Sequence, residues 1–129
     1  MKLDAIGIVA SNMKNSANFY RLLGLNFPDS VEVEDHIEAT TASGLRIMLD
    51  SETLMKKLKP NWTKPIGQRT TLAFVCESPS KVDELYSKIV EAGFEGEKEP
   101  WDAFWGQRYA SVLDPDGNSV DLFAALEPK

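Results

Sequence analysis

The chain is poor in the residues that hold metals or covalent cross-links: among 129 residues there is one cysteine, Cys76, and one histidine, His36. A single cysteine excludes an intrachain disulfide and fits a reducing, cytoplasmic setting. A single histidine leaves at most one imidazole for any metal site, and one ligand does not make a site. No run of 18 apolar residues occurs, so no membrane-spanning helix is expected. The opening MKLDAIGIVASNM carries an acid at position 4 and no small-residue cleavage site, so no signal peptide is expected. There is no glycine-rich phosphate loop and no Ser-His-Asp arrangement. The net charge of −6 argues against nucleic acid and anionic membranes as partners. It mildly favours a neutral or cationic ligand, although its plainest meaning is solubility.

What is present is a repeat. Hydrophobic residues at 43% and charged residues at 26% are ordinary for a globular protein, and the length suits a single domain, 1–129, with a real core. The segment LDAIGIVA (3–10) reads as a strand. It is followed by Asn12 as a helix cap, by Met13, Ala17 and Tyr20 at helical spacing with Phe19, Leu22 and Leu23 beside them, and by Gly24 as the stop. Shifted by 66 residues, the pattern returns: RTTLAFVC (69–76) is a strand and Ser78 a cap. Pro79 suits the first helical position, Val82, Leu85, Tyr86, Ile89 and Val90 form the apolar stripe, and Gly93 is the stop. Further strands are expected at 26–34, 36–42 and 44–50 in the first half, and at 94–99, 106–113 and 117–123 in the second. Each half therefore reads β-α-β-β-β, over about 1–50 and 69–124, with a linker 51–68 holding a short helical stretch and a Pro-rich passage with Trp62.

The last pair of strands flanks Asp114-Pro115-Asp116-Gly117-Asn118, a hairpin turn in which Pro presets φ and Gly closes the bend. Val120 and Leu122 then share one face and Ser119, Asp121 and Phe123 the other. Asp121 has three readings there: a residue paired with a base such as Arg46, a recognition group for a ligand's amine or guanidinium, or a catalytic base. Parity places Leu72, Phe74 and Cys76 toward the helices, which makes Cys76 an inert buried thiol. Thr71, Ala73 and Val75, with Arg46, Met48 and Asp50, fall on the opposite face. His36, at a strand start among acids, reads as a surface or rim residue.

NFYRLLGLNF (18–27), SKIVEAGFE (87–95) and DPDGNSVDLF (114–123), in paired β-α-β-β-β halves, resemble the vicinal oxygen chelate superfamily. That superfamily includes glyoxalase I, bleomycin resistance proteins and extradiol dioxygenases. The resemblance implies an α+β fold in which paired βαβββ modules form a half-open curved sheet with helices on the convex side, and it implies a homodimer. In metal-dependent members the first and last strands of each module supply the ligands. Superposing the repeats puts Ala5, Met48, Thr71 and Asp121 at those positions. Ala has no donor, Met a soft thioether and Thr a weak oxygen, so no metal, no cofactor and no catalytic residue is expected. Trp101, Phe104, Trp105 and Tyr109 gather in EPWDAFWGQRYA (99–110), in contexts that read as loops. The expectation is a non-catalytic binding protein like the bleomycin resistance proteins. Met48, Trp62, Thr71, Trp101, Trp105 and Asp121 would hold a planar or cationic small molecule. The alternatives are a metal-dependent glyoxalase-type lyase or isomerase, and a structural or regulatory dimer without ligand.

Overall fold

A computed structural model describes residues 1–29 and 34–126, and the chain divides into two compact units, Met1–Pro65 and Ile66–Lys129. The first unit contains β1 (Ala5–Ala10), α1 (Met13–Leu22), β2 (His36–Thr40), β3 (Arg46–Ser51) and α2 (Glu52–Leu58). The second contains β4 (Leu72–Val75), α3 (Pro79–Glu91), β5 (Glu95–Ala103), β6 (Gln107–Leu113) and β7 (Ser119–Ala125). The architecture is α+β, with two βαβββ-type modules built on mixed sheets. Of the strand expected over 26–34, residues 26–28 are not extended in a ladder and 30–33 lie outside the described residues. The first sheet accordingly has three strands among the described residues, in the order β1-β3-β2, and the second has four, β4-β7-β6-β5. No helix is long and apolar enough to cross a membrane among the described residues.

The internal repeat is one of register as well as of element order. In each unit the first strand runs parallel to the last, and a crossover helix makes that connection possible. Gly7 lies opposite Met48, and Ala73 lies opposite Asp121. The flanking pairs Ile6–Ile47 and Ile8–Leu49 correspond to Leu72–Val120 and Phe74–Leu122. Ile47, Leu49, Val120 and Leu122 are buried, so the parity read from the alternation holds in both halves.

The helix boundaries follow from capping. Asn12 Oδ1 accepts from the Asn15 amide at 3.0 Å and Ser78 Oγ from the Lys81 amide at 3.3 Å, satisfying donors that a helix start leaves free. Gly24 at φ +90° and Gly93 at φ +97° turn the chain out of α1 and α3 in the left-handed region, where a side chain would be strained. In the segment expected to be a linker, Ser51 caps α2 through the Leu54 amide at 3.0 Å. The α3 stripe is narrower than expected: Val82 and Ile89 are buried, but Val90 is 41% exposed, because the helix meets only one sheet face.

Two local features carry measurable consequences. Ser16 of α1 is fully buried and its Oγ has no hydrogen-bond partner among the described residues, whereas Val82 holds the equivalent place in α3. Ser16→Ala removes an unpaired buried hydroxyl, so thermal unfolding should show stabilisation of about 1 kcal/mol. Gly96 of β5 lies under Tyr86 of α3, and a Cβ there would overlap the tyrosine hydroxyl and sit 2.8 Å from Cζ. Gly96→Ala should cost roughly 1–3 kcal/mol in urea unfolding, by forcing the ring off its seat.

Candidate functional site

The site is assembled on the face of the second sheet that turns away from α3. The hairpin that sets its register is held by Asp114, a buried carboxylate. Its Oδ1 accepts from the Asp116 and Asn118 amides, both at 2.9 Å, and its Oδ2 accepts from Asn118 Nδ2 at 2.8 Å. This side-chain cap fixes the turn that Pro115 and Gly117 permit, and it is legible in the Asp at the first turn position. Beyond the turn, Asp121 of β7 stands opposite Ser111 of β6 and Ala73 of β4.

Both carboxylate oxygens of Asp121 are engaged. Tyr109 Oη donates to Oδ2 and Ser111 Oγ donates to Oδ1, each at 2.7 Å. Burial, and then the hydrogen bond to Asp121, push the Tyr109 phenol up to about 12. The two hydroxyls are neutral donors, so they orient the carboxylate without cancelling its charge, and a carboxylate retains further lone pairs for a cation. Arg46, the base weighed as its partner, has acids of its own. That guanidinium belongs to the first unit and is taken up there by Asp4 Oδ2 at 2.7 Å and Glu38 Oε2 at 2.8 Å, because register places those acids beside it.

An aromatic row lies next to the carboxylate. Trp101, Tyr109, Phe123 and Val75 stand opposite one another across β5, β6, β7 and β4. The rings of Tyr109 and Phe123 stack with centroids 6.1 Å apart. Trp105, in the turn between β5 and β6, meets Trp101, Phe104 and Tyr109 edge to face at 5.5, 5.0 and 5.3 Å. Its Nε1 donates to Gln107 Oε1 at 2.8 Å, and it is 49% exposed. Trp101 departs from the loop context read for it: it sits within β5, because the strand runs on past the Pro100 position to Ala103. The ammonium of Lys98 lies 5.2 Å from its ring centroid, a cation already seated on this row.

Of the expected ligand contacts, the structure thus brings Trp101, Trp105 and Asp121 together, joined by Tyr109, which the sequence reading left with the aromatics. Thr71 is exposed just ahead of β4, two residues before the partner of Asp121. Nearby, the Gln68 side-chain amide accepts from the Ser119 amide and donates to its carbonyl at 3.1 Å, extending the ladder beyond β4. Met48 and Trp62 belong to the first unit. Met48 is half-buried opposite Gly7, and half-buried Trp62 follows α2, with its amide bonded to the Lys59 carbonyl at 2.8 Å.

The donor set at the superfamily's ligand positions does not suit a metal. Ala5 offers no side-chain donor, Met48 is a thioether and Thr71 is a neutral hydroxyl, which leaves Asp121 as a single carboxylate where a divalent ion needs three or four donors. Among the described residues no three His, Cys, Asp or Glu side chains converge on a point. The His36 cluster illustrates why: its two ring nitrogens face different carboxylates, Asp50 and Glu38, on opposite sides of the imidazole.

The family model described as the Glyoxalase/Bleomycin resistance protein/Dioxygenase superfamily matches residues 2–122. The chain belongs to this superfamily. No curated protein sequence matches it. Among solved structures, it is similar to a glyoxalase/bleomycin resistance protein/dioxygenase family enzyme from Burkholderia phytofirmans PsJN, with TM-score 0.85, 19% identity, and coverage of 98% of this chain and 100% of that one. A glyoxalase-related enzyme from Fulvimarina pelagi aligns with TM-score 0.81, 17% identity, and coverage of 95% and 87%. A glyoxalase/bleomycin resistance protein/dioxygenase from Nocardioides aligns with TM-score 0.75, 22% identity, and coverage of 100% and 86%. At these identities the likeness is one of fold, and a superfamily fold hosts many chemistries.

The Tyr109–Asp121 bond gives a direct spectroscopic prediction. A phenol raised above its unfolded value of about 10 contributes stability below that pH and loses it as pH rises through the folded value. Difference absorbance of the phenolate, corrected with Tyr109→Phe, should show Tyr109 ionising near 12. Asp121→Asn should lower that transition but leave it above the unfolded value of about 10, because burial, the larger cause, remains.

Proposed function

We propose that the protein is a small-molecule binding protein resembling the bleomycin resistance branch of its superfamily. It holds a planar, cationic ligand against the aromatic face of the second unit without transforming it. The observation that carries this reading is Asp121: a half-buried carboxylate whose hydroxyl partners leave its charge in place, beside an aromatic row that already seats one ammonium. Planar cations match both parts. Ring faces attract them by stacking and through their quadrupole, and the carboxylate adds a charge-assisted hydrogen bond. The edge-to-face packing of Trp105 on three neighbours holds the row ready, so little ordering cost falls on binding. A homodimer, implied by the superfamily resemblance, belongs to the same proposal, and sedimentation velocity at micromolar concentration tests it.

Tryptophan fluorescence titrated with a panel of cationic aromatic dyes and neutral isosteres tests the ligand reading. A charge-assisted contact of about 1.5–3 kcal/mol predicts that Asp121→Asn weakens the cationic dyes roughly 10- to 100-fold and the neutral ones far less. Trp105→Ala should weaken both, since stacking area does not depend on ligand charge. Equal losses for charged and neutral dyes on Asp121→Asn would remove the electrostatic role, and no saturable quenching by any dye would remove the ligand reading.

A further inference from the structure

The first unit carries a chain of alternating charges that the ligand reading leaves unused. In the antiparallel pairing of β2 with β3, His36 stands opposite Asp50, Glu38 opposite Met48 and Thr40 opposite Arg46, so these side chains share one face. Asp50 Oδ1 is in close contact with His36 Nδ1, and Glu38 Oε2 lies 2.8 Å from His36 Nε2. The same Glu38 oxygen accepts from Arg46 Nη1 at 2.8 Å, and Asp4 Oδ2 accepts from Arg46 Nη2 and Nε at 2.7 and 3.1 Å. On this face β1 contributes the uncharged Ala5, Gly7 and Val9, opposite Arg46, Met48 and Asp50. From α2, Glu52 is paired with Lys64 at 3.8 Å.

A neutral imidazole has one N–H, so it cannot donate to carboxylates at both nitrogens; one carboxylate would face a lone pair. Only the imidazolium satisfies the arrangement. We propose that His36 is a proton-operated latch that ties β2 to β3. Protonated, it bridges Asp50 and Glu38. On losing its proton it keeps a single N–H, and that N–H stays with Asp50, because a carboxylate only 8% exposed costs more to leave unpaired. The Glu38 contact, which lies within β2, then opens with Glu38 still held by Arg46, and the cross-strand tie to Asp50 falls from a charge-assisted pair to a hydrogen bond from a neutral donor. The direction of titration supports the geometry: the hydrogen bonds to Glu38 and then Asp50 raise the His36 pKa, outweighing its desolvation. A raised pKa means that the stabilisation is complete below the ordinary histidine value and is lost as pH rises through the folded one. The neighbouring tie contains no imidazole: Ser51 donates to Asp35 from both its hydroxyl and its amide, each at 2.8 Å. The loosening is therefore local to the pairing of β2 with β3 around His36.

Because His36 is the only histidine, its imidazole resonances can be followed by NMR in the whole protein without assignment ambiguity. The expected result is a pKa above about 6.5, with each unit of elevation worth about tenfold in the closing equilibrium. Glu38→Gln should lower that pKa. Amide exchange of residues 36–40, corrected for its intrinsic pH dependence, should quicken as His36 loses its proton, and the step should be absent in His36→Gln. A His36 pKa at or below about 6.5, or β2 protection that stays flat through the His36 titration, would overturn the latch. Glu38→Gln alters only a partly exposed side chain, so it keeps the test available if His36→Gln does not fold.

Discussion

The parallel pairing of first and last strand in each unit is the constraint from which the rest follows. It needs a crossover, the crossover is a helix, and the helix must bury its apolar stripe against the sheet. Ile47 and Leu49 in one unit, and Val120 and Leu122 in the other, supply the buried face in return. Once those residues are committed, strand alternation leaves no choice for the residues between them. Met48, Asp50, Asp121 and Phe123 go to the other face, and a slip of one residue would drive Asp121 into the core and Val120 out of it.

The two units use that second face differently, although their backbones correspond. At equivalent positions the first unit has Met48 and Asp50, and the second has Asp121 and Phe123. Each unit thus carries one carboxylate, displaced by two residues along the strand. In the first unit a cationic imidazole answers it; in the second two neutral hydroxyls do. A carboxylate whose charge is matched within the protein has little left for a ligand cation, whereas one that is oriented but unmatched does. That difference separates Asp121 from Asp50, and on it rest the recognition role proposed for the one and the latch proposed around the other.

Superfamily membership sets the scaffold and leaves the chemistry to the side chains. The ligand positions hold no imidazole and one carboxylate, which is too small a donor set for the divalent ions that the fold accommodates elsewhere. The aromatic row takes up the space beside Asp121 instead. Its rings contact one another, and Trp105 serves as the hub through its position in the hairpin turn.

Apart from the strand expected over 26–34, the element order was legible in the amino-acid sequence, as were both long-helix caps, the DPDGN hairpin and the inward parity of β3, β4 and β7, because each rests on local rules: side-chain caps, turn residues and a two-residue period. So was the poverty of the donor set at the positions that the superfamily resemblance implies, once the two repeats are aligned. What the tertiary structure decided were the partners. Which acid would meet Arg46, which groups would hold Asp121, and whether His36 would face one carboxylate or two depend on cross-strand register. Register brings together residues as distant as Asp4 and Arg46, a separation at which the local pattern carries no information. Trp101 was likewise misplaced by its Pro-flanked neighbourhood, since an edge strand tolerates the proline that a central strand would refuse.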